Sequence, residues 1–215
     1  MSAHTGKYHL PAGTAADGPY DLLVTPASAG WGYSGLRILT LKPGEAHALS
    51  TQDSEFLVLP LTGSCTVTTD GTAFELAGRT GVFASATDFA HPPRGSQALI
   101  GSEVLTPGGN RSSYPPHKHD EARTDADGTP VESELEEIYC VEVSGDGRGF
   151  GYQRAYGTED RWIDVLAEDR SGDTVLIPHG CHGLSIAAPA HGRGRATWDT
   201  QDVDDRLPFG AEENE

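Results

Sequence analysis

The sequence predicts an all-β protein made of short strands. Glycine and proline number 27 and 14, and they separate short apolar runs at close intervals. Regular turn signals of this kind are typical of a β-sandwich or barrel. No stretch has the length and the 3.6-residue periodicity of an amphipathic helix. Clear apolar runs lie at 22–24, 56–61 and 175–177.

The first half opens with a polar arm and continues as strands joined by turns. Residues 1–19 are small, polar and rich in glycine, so we expect an arm in which His4 and His9 are solvated. From Tyr20 the pattern becomes strand-like, and Asp70-Gly71 is a hairpin signal. Strands are predicted within 21–25, 35–41, 54–63 and 65–70, with further short pieces at 78–82 and 89–93.

The second half repeats the order of parts of the first. A strand followed by a Pro-Gly turn, a strand opening with Glu, and a Gly-containing turn before an apolar run occur in both halves. An internal duplication explains this pattern, with one barrel in each half. We therefore predict an N-terminal barrel with its arm at 1–97 and a C-terminal barrel with a tail at 98–215.

Composition limits the classes of partner and compartment. The chain has 15 basic and 32 acidic residues and a formal net charge of −17, which disfavours nucleic acid or an anionic membrane as a partner. Three separated cysteines predict neither a disulfide framework nor a cysteine-rich zinc site. No signal peptide or membrane-spanning run is recognised. These features predict a cytoplasmic protein.

Two histidines and a glutamate-rich strand predict a metal site in the second half. His117 and His119 are two residues apart after a Pro-Pro pair, and in a β-strand this spacing turns both imidazoles to one face. A returning strand can bring Glu136 or Glu137 beside them, and His182 follows a later strand. Three neutral imidazoles and one carboxylate suit a divalent cation.

The first half has no comparable set of ligands. His47, Glu55 and His91 occur there, but no His-x-His pair does. A catalytic metal site usually requires about three converging protein ligands. We therefore expect the first barrel to bind no metal and to serve in packing and dimerisation, within a homo-oligomer.

Several motifs resemble one protein family. The Pro-Gly turn, the His-x-His pair, the later Glu and the stretch 172–182 resemble the cupin superfamily, which implies two tandem cupin (double-stranded β-helix, or jelly-roll) barrels. More narrowly, the chain resembles the 5-deoxy-glucuronate isomerase family of myo-inositol catabolism. The most specific string is Ser-Ser-Tyr-Pro-Pro-His-Lys-His at 112–119. Further matching parts are 105–111, 135–139, 151–156, Ala29-Gly30-Trp31 and 198–208.

The resemblance implies a metal-dependent aldose-ketose isomerase that converts 5-deoxy-D-glucuronate to 2-deoxy-5-keto-D-gluconate. Alignment with the family selects Glu137 as the carboxylate ligand, beside His117, His119 and His182. It implies one divalent metal ion, zinc or manganese, with iron as the alternative. The catalytic base stays open among a metal-bound water, Glu136 and a pocket tyrosine, for which Tyr139 is the candidate.

The sugar-acid substrate of such an enzyme requires an anion-binding group. Arg154 is the first candidate, because its planar guanidinium suits a carboxylate, and Gln153 and Tyr156 lie beside it in sequence. The alternative for Arg154 is a solvated position on the barrel exterior. Lys118 is a weaker candidate, because a regular strand would turn it away from the two flanking histidines.

Three other functions stay open at this point. A related uronate ketol-isomerase of pectin breakdown shares the implied fold and metal. An iron cupin dioxygenase would consume oxygen. A sugar-binding or storage cupin without turnover fits the missing site of the first half.

The sequence departs from the family in length. Closing strands are expected after the first barrel near 93/94 and after the second near 189/190, and a barrel without them leaves an open edge. We hypothesise that the sequence there joins segments that further residues separate in the full protein. Cys181 also replaces the aromatic residue expected before the last ligand.

Overall fold

A computed structural model describes residues 3–51, 53–92, 101–145, 147–189 and 193–198 of the chain. Strands predominate, which confirms the all-β prediction. The two helices are short: α1 (Ala3–Tyr8) and α2 (Pro26–Ala29). The strands are β1 (His9–Leu10), β2 (Leu22–Val24), β3 (Leu36–Ile38), β4 (Gly63–Thr69), β5 (Thr72–Arg79), β6 (Gly101–Thr106), β7 (Arg111–Ser112), β8 (Arg123–Thr124), β9 (Pro130–Glu132), β10 (Glu137–Val143), β11 (Gly151–Tyr156), β12 (Asp164–Asp169), β13 (Thr174–Ile177), β14 (Cys181–Ala187) and β15 (Arg193–Trp198).

The second half forms two antiparallel sheets around one core. Five strands pair in the order β1-β13-β10-β15-β6, and four pair in the order β12-β11-β14-β7. Apolar side chains of both sheets meet in a single buried cluster, to which Ile138 and Tyr139 of the first sheet and Ala155 and Val165 of the second belong. Within each sheet, most neighbouring strands are not consecutive in the chain, as a jelly-roll barrel requires.

The strand that completes the first sheet of this barrel is β15. It lies between β10 and β6 and pairs antiparallel with both. The expectation that the second barrel lacks a closing strand is therefore wrong, since residues beyond the junction at 189/190 supply one. The two junctions, at 93/94 and 189/190, and the predicted boundary at 97/98 involve residues outside the described ranges.

The first half is organised in two-stranded ribbons. β2 pairs with β3 and β4 with β5, while a single bridge joins Val58 to Ala90. Leu22, Val24 and Leu36 of the first ribbon are buried in the same cluster as the core of the second barrel. The first half thus shares a hydrophobic core with the half that carries the predicted metal site.

The N-terminal arm packs on the second barrel. β1 extends the first sheet by pairing with β13, and Nε2 of His9 lies 3.0 Å from a carboxylate oxygen of Asp173. Nδ1 of His4 accepts a hydrogen bond of 3.1 Å from the backbone N–H of Asp164. The prediction that both histidines are solvated is wrong, because tertiary partners hold each of them.

Two further global features follow from the described residues. All three cysteines are free, as their separation in the sequence predicts. Among the described helices, none combines the length and apolar character that crossing a bilayer would need.

Candidate metal centre

The three predicted histidines converge inside the second barrel. One ring nitrogen from each of His117, His119 and His182 lies within 4.8 Å of the other two. Oε1 of Glu137 lies 2.9 Å from Nε2 of His182 and 3.5 Å from Nε2 of His119. The fold therefore brings together the four side chains that the sequence and the resemblance select as ligands, and Glu137 and His182 are each only 1% exposed.

A glycine allows the histidine pair to approach the last ligand. The backbones of His117 and His182 form an antiparallel bridge, with N–H···O distances of 3.0 and 2.8 Å. Gly183 follows at a φ of 136°, and a Cβ atom there would lie 2.3 Å from the carbonyl oxygen of Ser113 and 3.0 Å from Cα of Pro116. Both the dihedral angle and the close approach require glycine.

Tyr139 connects two of the ligands. Its hydroxyl donates to Oε2 of Glu137 and lies 2.8 Å from Nδ1 of His182. Because a phenol has a single proton and the carboxylate only accepts, the contact to His182 requires a proton on Nδ1. Nε2 of His182 then presents a lone pair toward the other ligands, which is the tautomer that a metal needs.

Three atoms at the centre have no hydrogen-bonding partner among the residues that the structure describes. Nε2 of His119, Oε1 of Glu137 and Nε2 of His182 are all buried and unpaired. A buried unpaired polar atom costs about 1–3 kcal/mol. A cation bound among these atoms would remove this penalty, so the residues present fit a divalent metal.

The protonation states favour metal binding as well. Burial lowers the pKa of His117, with a further contribution from His182, and burial likewise lowers the pKa of His119. Burial opposes ionisation of Glu137, but the contacts with His182 and Tyr139 outweigh it and lower the pKa of Glu137 to about 2. Near neutral pH the site therefore offers neutral imidazoles and an ionised carboxylate.

The two predicted candidates for the catalytic base have other partners. The carboxylate of Glu136 accepts hydrogen bonds from the backbone N–H groups of residues 32–34, on the opposite side of the chain from Glu137. Tyr139 is fully buried, and its hydroxyl is bonded to two of the ligands. The structure thus does not support either side chain as the base.

Two of the four side chains predicted to bind substrate lie on the outer face of the barrel. In β11 the buried side chains alternate with exposed ones, and Arg154 and Tyr156 share the outer face. Nη1 of Arg154 lies 2.7 Å from Oδ1 of Asp164, and the guanidinium contacts the ring of Tyr156 at 5.4 Å. Tyr156 is 36% exposed. Alternation turns these two side chains to the exterior of the barrel, so the structure does not place them with the metal centre, and their contact with substrate stays a prediction.

Gln153 is the member of the predicted substrate set that points inward. It is fully buried, and its Oε1 accepts a hydrogen bond from Ser185 of β14. Its neighbour Ala155 pairs directly with His182. Gln153 is therefore in the barrel interior, and a contact with substrate stays a prediction.

Two acidic residues that the sequence patterns do not single out hold the segments that carry the ligands. Glu132 accepts from the Nζ of Lys118 at 2.8 Å and from the backbone N–H of Asp120 at 2.9 Å. Asp120 accepts from the backbone N–H of Gly180, two residues before His182. Lys118 is thus held by acidic partners, which argues against its predicted role toward substrate. Asp120 directly follows the His-x-His pair in the sequence, and this position could have indicated its contact with the ligand segments.

Two first-half histidines that were considered as ligands, His47 and His91, each contact one side chain in the described part of the chain. Nε2 of His91 lies 3.1 Å from Glu55, and Nε2 of His47 lies 3.0 Å from the hydroxyl of Tyr20. Within the residues that the structure describes, the only group of three or more potential ligand side chains is the one formed by His117, His119 and His182.

Comparisons with known proteins give consistent results. The model of the KduI/IolB family matches residues 8–102 and 95–192. A 5-deoxy-glucuronate isomerase of Geobacillus kaustophilus (strain HTA426) is 31% identical over 221 residues, which cover 75% of this chain and 78% of that protein. A 5-deoxy-glucuronate isomerase of Shouchella clausii (strain KSM-K16) is 45% identical over 91 residues, or 42% of this chain and 31% of that protein.

One solved structure has a similar fold. The crystal structure of an IolB-like protein from Salmonella typhimurium LT2 superposes with a TM-score of 0.69 at 20% identity. The match covers 89% of this chain and 91% of that chain. At this identity the similarity concerns the fold.

Proposed function

Because this chain belongs to the KduI/IolB family, we propose that it is an aldose-ketose isomerase that converts 5-deoxy-D-glucuronate to 2-deoxy-5-keto-D-gluconate in myo-inositol degradation. Similar proteins at 31% and 45% identity carry the name 5-deoxy-glucuronate isomerase. The observation that carries the proposal is the convergence of three imidazoles and the Glu137 carboxylate in a buried site. That donor set is suited to the metal chemistry of such a reaction.

We propose one divalent metal ion as the cofactor, held by His117, His119, Glu137 and His182. Zinc and manganese both accept this combination of nitrogen and oxygen donors, and iron is the alternative. When bound, such an ion supplies Lewis-acid polarisation of the carbonyl and adjacent hydroxyl oxygens of the sugar.

The side chains of the chain prepare the site for this chemistry. Burial keeps His117 and His119 neutral, while Glu137 stays ionised because its pKa is lowered to about 2. Tyr139 keeps the proton of His182 on Nδ1 and orients the carboxylate of Glu137. The isomerisation moves a hydrogen between adjacent carbons of the sugar. One carbon is oxidised as its neighbour is reduced, so no external oxidant is required.

The activity can be tested on purified protein. Bound metal is measured first, and the protein is then loaded in turn with zinc, manganese and iron. Conversion of 5-deoxy-glucuronate is followed by NMR in parallel samples with and without oxygen, oxygen consumption is recorded in the former, and the uronate substrate of pectin breakdown is assayed alongside. We expect conversion of 5-deoxy-glucuronate. Absence of conversion by every metal-loaded form would contradict the isomerase proposal, and oxygen uptake would favour a dioxygenase instead.

A histidine pair provides the matched control for the ligand assignment. His182→Ala should abolish tight metal binding and turnover, because it removes a buried ligand. His179→Ala changes a histidine of the same turn that lies outside the cluster, and it should retain both properties. Full activity of the His182 variant would show that the assigned ligand is wrong.

We further propose that the protein is a cytoplasmic homo-oligomer. The proposal is supported by the acidic composition and by the predicted packing role of the first half. Light scattering coupled to size-exclusion chromatography measures the mass in solution, and a mass equal to 22.7 kDa would contradict the oligomer.

A further inference from the structure

The motif Ala29-Gly30-Trp31 is not part of the histidine cluster, yet it builds a loop that contacts Glu136, the residue directly before Glu137. The side chain of Thr25 accepts from the N–H of Ser28, and the side chain of Ser28 accepts from the N–H of Thr25, which forms a capping box at the start of α2. The helix ends at Gly30, whose φ of 78° is left-handed and suits glycine. Both ends of this short helix are therefore fixed by local bonds.

Trp31 closes the loop that follows. Its indole Nε1 donates to the carbonyl oxygen of Ser34 at 2.7 Å, and its ring packs against the hydrophobic core that includes Ile138 of β10. The indole thus fixes the loop 31–34 to the protein interior. This leaves the backbone N–H groups of 32–34 in one defined arrangement.

These N–H groups surround one carboxylate from the second half. Gly32 donates to Oε1 of Glu136 at 2.7 Å, Tyr33 donates to Oε2 at 3.0 Å, and Ser34 donates to Oε2 at 2.7 Å. Three bonds from backbone donors to one ionised side chain are stronger than bonds between neutral groups. The loop and Glu136 are therefore a specific contact between the two halves of the chain.

Glu136 lies where the chain enters β10. It directly precedes the ligand Glu137 and connects the largely exposed residues 121–134 to β10. One residue earlier, the N–H of Leu135 donates to the carbonyl oxygen of His119 at 3.0 Å. Two contacts thus hold the chain just before β10. Leu135 bonds to the backbone of His119, and Glu136 bonds to the loop 32–34.

We propose that Glu136 is a positioning residue of the metal centre. Its bonds to the loop 32–34 fix the backbone where β10 begins, and thereby direct the carboxylate of Glu137 toward His119 and His182. The first half of the chain then contributes to the metal site without providing a ligand. This inference rests on the proposed metal site.

A purely structural role for Glu136 predicts a different result. In that case its removal would lower the free energy of unfolding but leave the metal affinity of the folded protein unchanged. Positioning instead predicts weaker metal binding in a protein that remains folded. Metal affinity therefore distinguishes the two roles.

The first test compares two glutamates that differ in their contacts. Glu136→Gln places an amide N–H₂ against backbone donors, while Glu134→Gln makes the same change of charge at an exposed position two residues earlier. Zinc affinity of the metal-free proteins is measured by competition with a chromogenic chelator. We expect about a tenfold loss for Glu136→Gln, at the low end of the effect of residues that orient metal ligands, and no loss for Glu134→Gln. Cobalt absorption spectra should change only in the Glu136 variant.

A second pair of variants removes a donor instead of the acceptor. Tyr33→Pro eliminates one of the three N–H groups, whereas Tyr33→Ala keeps that group and removes a side chain that is 79% exposed. Weaker zinc binding in the proline variant alone would support the proposal, including the case in which Glu136→Gln fails to fold. Zinc binding within twofold of the wild type in folded Glu136→Gln, or in Tyr33→Pro, would overturn it. A wild-type protein that binds no zinc, manganese or iron would instead overturn the metal site itself.

Discussion

The hydroxyl of Tyr139 lies 2.8 Å from Nδ1 of His182, while it donates its own proton to Glu137. One phenol thereby sets the tautomer of one ligand and the orientation of another. Such contacts matter because an imidazole binds a metal only through the nitrogen that lacks a proton.

Replacement of Tyr139 by Phe should weaken metal binding. The change leaves the ring and removes the hydroxyl, so Nδ1 of His182 loses its partner. We expect metal affinity to fall about 10- to 100-fold, measured by chelator competition. Tyr152→Phe is the control, because that hydroxyl lies 3.3 Å from Glu168 on the outer face of β11. Equal affinity of Tyr139→Phe and the wild type would show that the tautomer is set by other means.

Replacement of Gly183 by Ala should disturb the metal centre. The added Cβ would lie 2.3 Å from the carbonyl oxygen of Ser113, so the segment leading to His117 has to move. We expect a loss of stability of about 1–3 kcal/mol from overpacking, together with weaker metal binding.

Gly128→Ala is the control for this variant. Gly128 also has a positive φ, of 89°, but a Cβ there has no atom within 4 Å. The free energy of unfolding of both variants is measured in urea. The difference between their losses of stability isolates the effect of the close contact at Gly183 from the effect of a positive φ. Similar losses in both variants would mean that the close approach to Ser113 is unimportant.

Arg154→Met should have little effect on catalysis. The guanidinium pairs with Asp164 and with backbone carbonyls on the outer face of β11, so the substrate site is expected to keep its shape and charge. Steady-state kinetics with 5-deoxy-glucuronate should give a KM close to that of the wild type. A KM raised tenfold or more would restore the interpretation of Arg154 as the carboxylate clamp.

Asp173 should stabilise the protein in a pH-dependent way. Burial opposes ionisation of this carboxyl group, but His9 and the N–H groups of Ala12 and Arg170 lower its pKa below the ordinary value of 3.8. A carboxylate with a lowered pKa stabilises the fold above the unfolded-state value, and the effect disappears as the pH falls through the folded-state value.

The Asp173→Asn variant tests this contribution. Relative to the wild type, it should lose about 2 kcal/mol of unfolding free energy at about pH 6, and the difference should shrink at about pH 3. Urea unfolding at both pH values measures it. Asp17→Asn, at an exposed position near the same arm, should show no difference at either pH. A difference for Asp173→Asn that is equal at both pH values would contradict the assigned cause.

Local sequence patterns predicted the class of fold and the metal ligands. Turn residues at short intervals predict short strands, since glycine and proline impose backbone conformations wherever they occur. The two-residue spacing of His117 and His119 and the later position of His182 predicted a shared site, and the three imidazoles do converge, while the choice of Glu137 came from the family resemblance. The convergence could be predicted because residue type and spacing are local properties that each residue carries into the fold, and the role of these side chains as metal ligands stays a prediction.

The face that a strand turns inward was decided by the tertiary structure alone. Alternation along β11 puts Arg154 and Tyr156 on one face of the strand and Gln153 on the other. The two-residue period does not tell which face is buried, and in the barrel it is the face of Gln153. The partners of Glu136, more than 100 positions away at 32–34, could not be predicted from the sequence either. The sequence by itself determined which groups are available for metal chemistry. Only long-range strand pairing and loop docking decided which of them converge, because those contacts depend on the whole chain.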